Sequence, residues 1–199
     1  MKGHNPMKKP LLAALLTLPL AACISFGAEP PPSLLTLTPT SPVTAGQSQT
    51  ASADRSITIA VPVVPQEIST ARVPVQVTAT TVAYVKDAQW VEAPARLFAR
   101  LMSDTITART GRIVLDPGQF ALNPGVRLTG ELRQFGMDAA SSSAVVIYDA
   151  ALARGENQVE KRRFEARVPV GAISAASVGP ALNQAANQVA ADVAGWIGG

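Results

Sequence analysis

The stretch AVVIYDAALARGENQVEKRRFEARVPV, residues 144–170, decides the fold. Ala144 to Leu152 is apolar on both faces apart from Asp149, as a central strand requires. Arg154-Gly155-Glu156-Asn157 then turns the chain. Gln158 to Val170 returns it as a hairpin partner, with Phe164, Ala166 and Val168 inward and Lys161, Arg163, Glu165 and Arg167 outward.

Working back from this hairpin, Val126, Leu128, Gly130 and Leu132 alternate with Arg127, Thr129, Glu131 and Arg133, which predicts a half-exposed strand. Asp116-Pro117-Gly118 and Asn123-Pro124-Gly125 are turn signals, and Arg112 to Leu115 is a short strand. Between Glu92 and Thr110 the period becomes helical. Pro94 suits the first turn and Gly111 the C-cap. Leu97, Phe98, Leu101, Met102, Thr105, Ile106 and Ala108 line one broad face, and Arg96, Arg100, Ser103 and Thr107 the opposite one. Further upstream, three β-rich runs stand out: Ile57 to Val63, interrupted by Pro62; Val73 to Val77; and Thr80 to Val85, closed by the polar Lys86-Asp87-Ala88-Gln89. Past the hairpin, Val178, Leu182, Ala185, Val189, Val193 and Trp196 share a narrow arc of a helix over about 178–197. Ser177 is its expected N-cap, Pro180 falls in its first turn, and Asn183, Gln184 and Asn187 face away. The order β-β-(β)-α-β-β-β-β-α predicts an α/β (α+β) sandwich, a mixed β-sheet with two main helices packed against one face. No internal repeat is present.

The N-terminus is of another kind. Lys8-Lys9 precedes an apolar run from Leu11 to Ala22, too short to span a bilayer, which takes about 20 apolar residues. The run ends in Leu20, Ala21, Ala22 and Cys23, the only cysteine of the chain. This resembles a bacterial lipoprotein signal with its lipobox, whether translation starts at Met1 or Met7. The resemblance implies cleavage before Cys23, a diacylglyceryl group on its sulfur, and an acyl chain such as palmitate on its new amine. Several chains, at about 0.8 kcal/mol per buried methylene, make a stable membrane anchor where one would not. By the sorting rule for such lipoproteins, Ile24 rather than Asp after the cysteine favours the periplasmic side of the outer membrane over the inner one. The expected organisation is a signal peptide over 1–22, then a lipidated tether and flexible loop over 23–55 with a short strand at about 33–39, then a compact domain over 56–199. Pro30-Pro31-Pro32 favours extended geometry in the tether, and the Ser/Thr/Gln/Gly-rich run from Thr40 to Arg55 has little to bury.

Composition excludes several functions. The chain has 17 Lys+Arg against 14 Asp+Glu, but Lys2, Lys8 and Lys9 lie in the signal, so the mature chain is formally neutral. The electrostatic case for a nucleic-acid partner goes with them. His4, the one histidine, is lost on cleavage as well, which leaves neither a Ser-His-Asp or Cys-His site nor a His- or Cys-built zinc site. No phosphate-binding glycine loop occurs. A Ser-Lys or carboxylate-only enzyme, for example one acting on peptidoglycan, stays open to this composition, but no spacing suggests one, and the reading is a non-enzymatic protein without metal or cofactor, apart from the covalent lipid on Cys23.

The lipobox, the early strand Leu34-Leu35-Thr36-Leu37, Ile57-Thr58-Ile59-Ala60-Val61, Val73-Pro74-Val75-Gln76-Val77, and Gln89-Trp90-Val91-Glu92 leading into the Leu97/Leu101 helix together resemble the ABC-type transport auxiliary lipoprotein family. The family includes paraquat-inducible outer-membrane lipoproteins. The resemblance runs from about Leu34 to Ile197. Family members often carry an aromatic pair where Ser33-Leu34 stands, and an Arg at a place Arg72 can fill. The resemblance implies a non-catalytic periplasmic subunit of an ABC transport system with an MCE-domain substrate-binding protein, a permease and an ATPase, moving phospholipid between membranes; it leaves room for a homo-oligomer. The rival reading is a structural or assembly lipoprotein of a secretion or outer-membrane assembly complex. Trp90 and Trp196 read as core, and Lys161-Arg162-Arg163 and the Arg96/Arg100 stripe as solvated faces.

Overall fold

The computed structural model describes residues 3, 33–43, 46, 52, 55–115, 125–155 and 157–198. Contacts divide the chain into Met1–Pro30 and Pro31–Gly199, and every element described lies in the second unit. Its strands are β1 (Ser56–Ile59), β2 (Arg72–Thr78), β3 (Thr81–Gln89), β4 (Ile113–Leu115), β5 (Val126–Asp138), β6 (Ser143–Arg154) and β7 (Gln158–Pro169). The helices are α1 (Pro94–Thr110) and α2 (Ala175–Gly198), with one short 3-10 turn at Gln66–Ile68.

The seven strands form one mixed sheet that does not close into a barrel. β5 is its hub. One edge of β5 pairs antiparallel with β6, which pairs antiparallel with β7. Its other edge is shared: β1 runs parallel to its start, with Thr58 opposite Arg127, and β2 runs parallel to its end, with Val75 opposite Met137. β4 flanks β1 and β3 flanks β2. The 144–170 hairpin is thus central at β6 and peripheral at β7, as its two hydrophobic patterns require. Pro62 and Pro65 have no N–H for a ladder, so β1 stops at Ile59, and beyond it the chain bonds β5 through the Ala60 N–H to Leu128 O and through Val63.

Both helices lie on one face. Phe98 of α1 packs edge-on to Phe135 and Tyr148, and Trp196 of α2 packs on Phe164. Tyr148 and Phe164 are register partners and so point the same way. Pro94 starts α1, and Gly111, at φ 66°, ends it in the left-handed conformation that glycine adopts without strain. Leu97, Phe98, Leu101, Met102, Thr105 and Ile106 are buried, while Ala108 is exposed: it lies past the edge of the arc that the sheet covers.

Other expectations need correcting. β3 runs on through Lys86-Asp87-Ala88-Gln89. The polar residues are absorbed in a bulge, where pairing jumps from Pro74–Tyr84 to Arg72–Gln89 and Asp87 takes φ 57°. β5 continues past Arg133 to Asp138, because an irregularity between Leu132 and Gln134 resets the alternation and turns Phe135 inward. α2 starts a turn early, at Ala175. The Ser174 hydroxyl accepts the Ser177 N–H at 3.3 Å while the Ser177 hydroxyl accepts the Ser174 N–H at 3.1 Å, a reciprocal cap that sets Pro180 in the second turn. Trp196 is half-buried, with its indole N–H donated to Glu160 at 2.8 Å. In the 33–39 segment only Leu35 pairs, with Trp90, since Pro39 has no N–H and the amides of Thr38 and Thr40 go to side chains of α2. The 116–118 turn lies outside the described residues, as does most of the 40–55 loop.

Gly130 is fixed by space. A Cβ there would run into the Asp149 carbonyl and stand 2.7 Å from Tyr148 Cε2, because the Tyr148 ring crosses β5 to donate its hydroxyl to Thr129 O at 3.0 Å. Gly130→Ala is expected to destabilise the protein by about 2–3 kcal/mol, although Ala is normally the better strand residue. Urea denaturation would measure this; a change within about 0.5 kcal/mol, the range of a neutral surface substitution, would refute it.

Candidate functional surfaces

The sequence placed its one functional residue, Cys23, and the lipobox Leu20, Ala21 and Ala22 outside what the structure describes. Leu35 and the residues after it are described, and they are strapped to α2. Leu35 donates its N–H to Gln89 O at 2.7 Å and accepts from Val91 N at 2.9 Å. Its side chain lies over Gly179, where a Cβ would stand 2.8 Å from Leu35 Cδ2. One turn on, Asn183 Oδ1 accepts the Thr38 N–H at 2.8 Å. A further turn on, Asn187 donates to Thr38 O at 2.9 Å and accepts the Thr40 N–H at 2.8 Å. Gly179, Asn183 and Asn187 form one i, i+4, i+8 stripe of α2, as a groove for an extended chain needs.

Asn187 is only 6 % exposed, which corrects the expectation that it faces away. A buried amide must have its hydrogen bonds, and here the strap supplies them. Asn187→Ala is expected to lower stability by about 1–3 kcal/mol and to release the strap. The test is amide hydrogen exchange at Thr38 and Thr40, which should speed up well before the body of the sheet does; unchanged protection at both would count against the latch.

The sheet face away from the helices is charged. Glu131, Asp149 and Arg163 stand in one row across β5, β6 and β7. Arg163 grips Asp149 through two bonds of 2.6 and 2.7 Å, and Arg133 lies 3.4 Å from Glu131 and 3.7 Å from Asp149. The Arg163 bonds hold the Asp149 carboxyl below its ordinary range, ahead of the smaller upward pull of burial. Burial pulls Asp138 upward too, but bonds from Ser141 and the Ala140 and Ser141 amides, with Arg167 nearby, outweigh it and leave it low. Both carboxylates therefore support the fold at neutral pH, and that support is lost only as acid brings the pH down through their depressed values. Lys161 and Arg163 are exposed on this face, and Arg96 and Arg100 on α1, where Arg100 pairs with Glu92.

Trp90 is 1 % exposed and stacks on Phe135 at 5.4 Å, so it is core. Burial, opposed by Arg100, raises the carboxyl of Asp104 on α1. Among the described residues no three His, Cys, Asp or Glu side chains come together as metal ligands, and no helix is long and apolar enough to cross a membrane.

The family model for the ABC-type transport auxiliary lipoprotein component matches residues 35–194, from the strap to the last turns of α2. The chain belongs to the ABC-type transport auxiliary lipoprotein family. The match begins at Leu35, so the latched strap is part of the auxiliary lipoprotein domain. No curated protein matches the sequence. Among solved structures, the auxiliary lipoprotein is similar to protein XCC0632 from Xanthomonas campestris, of family DUF330. The TM-score is 0.67 at 21 % identity, covering 83 % of this chain and 94 % of that one. It is also similar to an uncharacterized protein, with a TM-score of 0.62 at 14 % identity over 72 % of this chain and 93 % of that one. At such identities the likeness is one of fold.

Proposed function

We propose that this auxiliary lipoprotein of the bacterial cell envelope is anchored through acylated Cys23 in the outer membrane. There it serves, without catalysis, as a docking subunit for an MCE-domain protein and its ABC permease and ATPase in phospholipid traffic between the membranes. The family match over residues 35–194 carries the reading. The strap supports it: the chain from Leu35 to Thr40, the described part nearest the anchor, is held on α2. Ile24 after the cysteine supports the outer membrane.

The test is crosslinking in intact envelopes, followed by capture of the lipidated protein and mass spectrometry. Recovery of an MCE-domain protein with its permease and ATPase is expected. Recovery of secretion or barrel-assembly components alone would replace this reading with the assembly role.

A further inference from the structure

The C-terminal ends of α1 and α2 frame a cleft of about 420 Å³ that the auxiliary role leaves unexplained. Arg55, Arg109 and Arg112 line it, together with Thr110, Gly195 and Gly198, and no acidic side chain does so among the described residues. Arg100, Arg133, Arg163 and Arg167 are each paired with a carboxylate. Arg112 has a further interaction of its own. Arg55 and Arg109 have no carboxylate partner among the described residues, and both look into the same cleft. In a mature chain with equal numbers of acidic and basic residues, this is local segregation of charge rather than an overall excess.

The helix ends do not account for these cations. Each C-terminus carries roughly half a negative charge, about one in all. Some of the carbonyls there already have partners: Gly111 N–H bonds Thr107 O at 3.0 Å, and Arg154 reaches Ile197 O at 3.5 Å. Two to three guanidinium groups therefore leave a surplus of about one to two positive charges, which is the charge range of a phosphate ester. The floor is open as well, since a Cβ at Gly195 would meet no atom within 4 Å.

We propose that this cleft binds a phosphate group, held by the forked donors of Arg55 and Arg109. Its position bears on the source. The strap lies over Gly179 and runs toward Asn187, so the anchored end of the chain leaves α2 near its start. The cleft is at the other end of the helix, roughly 28 Å away at 1.5 Å per residue. The phosphate it meets is then presented away from the tether's exit, either as the head group of a lipid in transit or as free phosphate. The assignment stands whichever transport partner the lipoprotein has.

The experiment uses the full lipidated chain in maltoside micelles at low salt, titrated calorimetrically with inorganic phosphate and with dihexanoyl phosphatidic acid. Saturable binding of both is expected. It should weaken at least about tenfold in the double variant Arg55→Gln/Arg109→Gln and stay unchanged in Arg96→Gln, an exposed cation elsewhere on α1. Phosphatidic acid binding at least about tenfold tighter than phosphate assigns the site to a lipid head group, and equal affinities assign it to free phosphate. Absence of saturable binding of both probes, or wild-type affinity in the double variant, overturns the proposal. If the double variant loses its thermal transition, Arg55→Gln alone, outside both helices, is expected to weaken binding at least about threefold; wild-type affinity there would overturn it equally.

Discussion

Phe98→Ala is expected to lower the unfolding free energy by about 3–5 kcal/mol, the largest stability loss of any single truncation proposed for this protein. Phe98 is 1 % exposed and is the aromatic residue of α1 that packs on the sheet. Its ring lies 5.3 Å from Tyr148 on β6 and 6.3 Å from Phe135 on β5, and Phe135 in turn holds Trp90 at 5.4 Å. Truncation therefore removes one ring's burial, two edge-on aromatic contacts of about 0.5–1.5 kcal/mol each, and the support beneath Phe135. The site cannot collapse to fill the void, because Tyr148 is tied to Thr129 O and Phe135 sits between two paired strands. At roughly 2–4 °C per kcal/mol for a domain of this size, the thermal midpoint should fall by roughly 6–20 °C. Phe98→Leu, which restores most of the volume but neither aromatic contact, should lose about 1–3 kcal/mol. If the two variants melt together, restored volume counts for little, and the aromatic contacts rather than the filled space fix α1 on the sheet.

The residues that told the truth locally are those whose signal is short-ranged. Pro94 and Gly111 bracket α1 because the missing N–H and the left-handed conformation are properties of those residues themselves. The 144–170 hairpin was legible because twelve-residue strands repeat their pattern, apolar on both faces in β6 and alternating in β7, often enough to override local noise. Where the reading failed, a hydrogen-bond partner or a shift of register decided the outcome. Asn187 looks like a solvent-facing amide until Thr38, distant by 149 positions, supplies a carbonyl for it. Ser174 and Ser177 are equally good caps by type, and only their mutual hydrogen bonds choose the first. The parity of β5 beyond Arg133 depends on a bulge that no single residue announces. The same division holds for function. The lipobox is linear and readable, whereas Arg55 and Arg109 stand on separate segments and meet only once α1 and α2 have packed together.

Cys23→Ser is expected to move the protein from the membrane pellet to the soluble periplasmic fraction while leaving its thermal midpoint within about 1 °C of the wild type. The first half follows from the anchor. Serine offers no thiol for the diacylglyceryl group, and without it neither the cleavage that frees the amine nor the later acylation occurs. The whole lipid attachment, several chains at about 0.8 kcal/mol per methylene, is lost together. An uncleaved apolar run from Leu11 to Ala22 is short of a full span, so it is a weak substitute. The second half follows from the fold, since every described element lies within Pro31–Gly199 and none depends on residue 23. The strap joins the two halves. From Cys23 to Ser33 the chain is ten residues long, a reach of at most about 36 Å when fully extended. Were the whole strap released, with the Leu35 bonds to Gln89 and Val91 and the Thr38 bond to Asn183 lost along with those of Asn187, the free length would run from Cys23 to Ser56, 33 residues, and the limit would rise to roughly 120 Å. Cys23→Ser should therefore abolish envelope crosslinks to a membrane partner, whereas Asn187→Ala, which leaves Leu35 bonded to Gln89 and Val91, should keep both the protein in the membrane and its crosslinks. Retention of Cys23→Ser in the pellet with unchanged crosslinks would mean that the body, and not the lipid, holds the protein at the membrane.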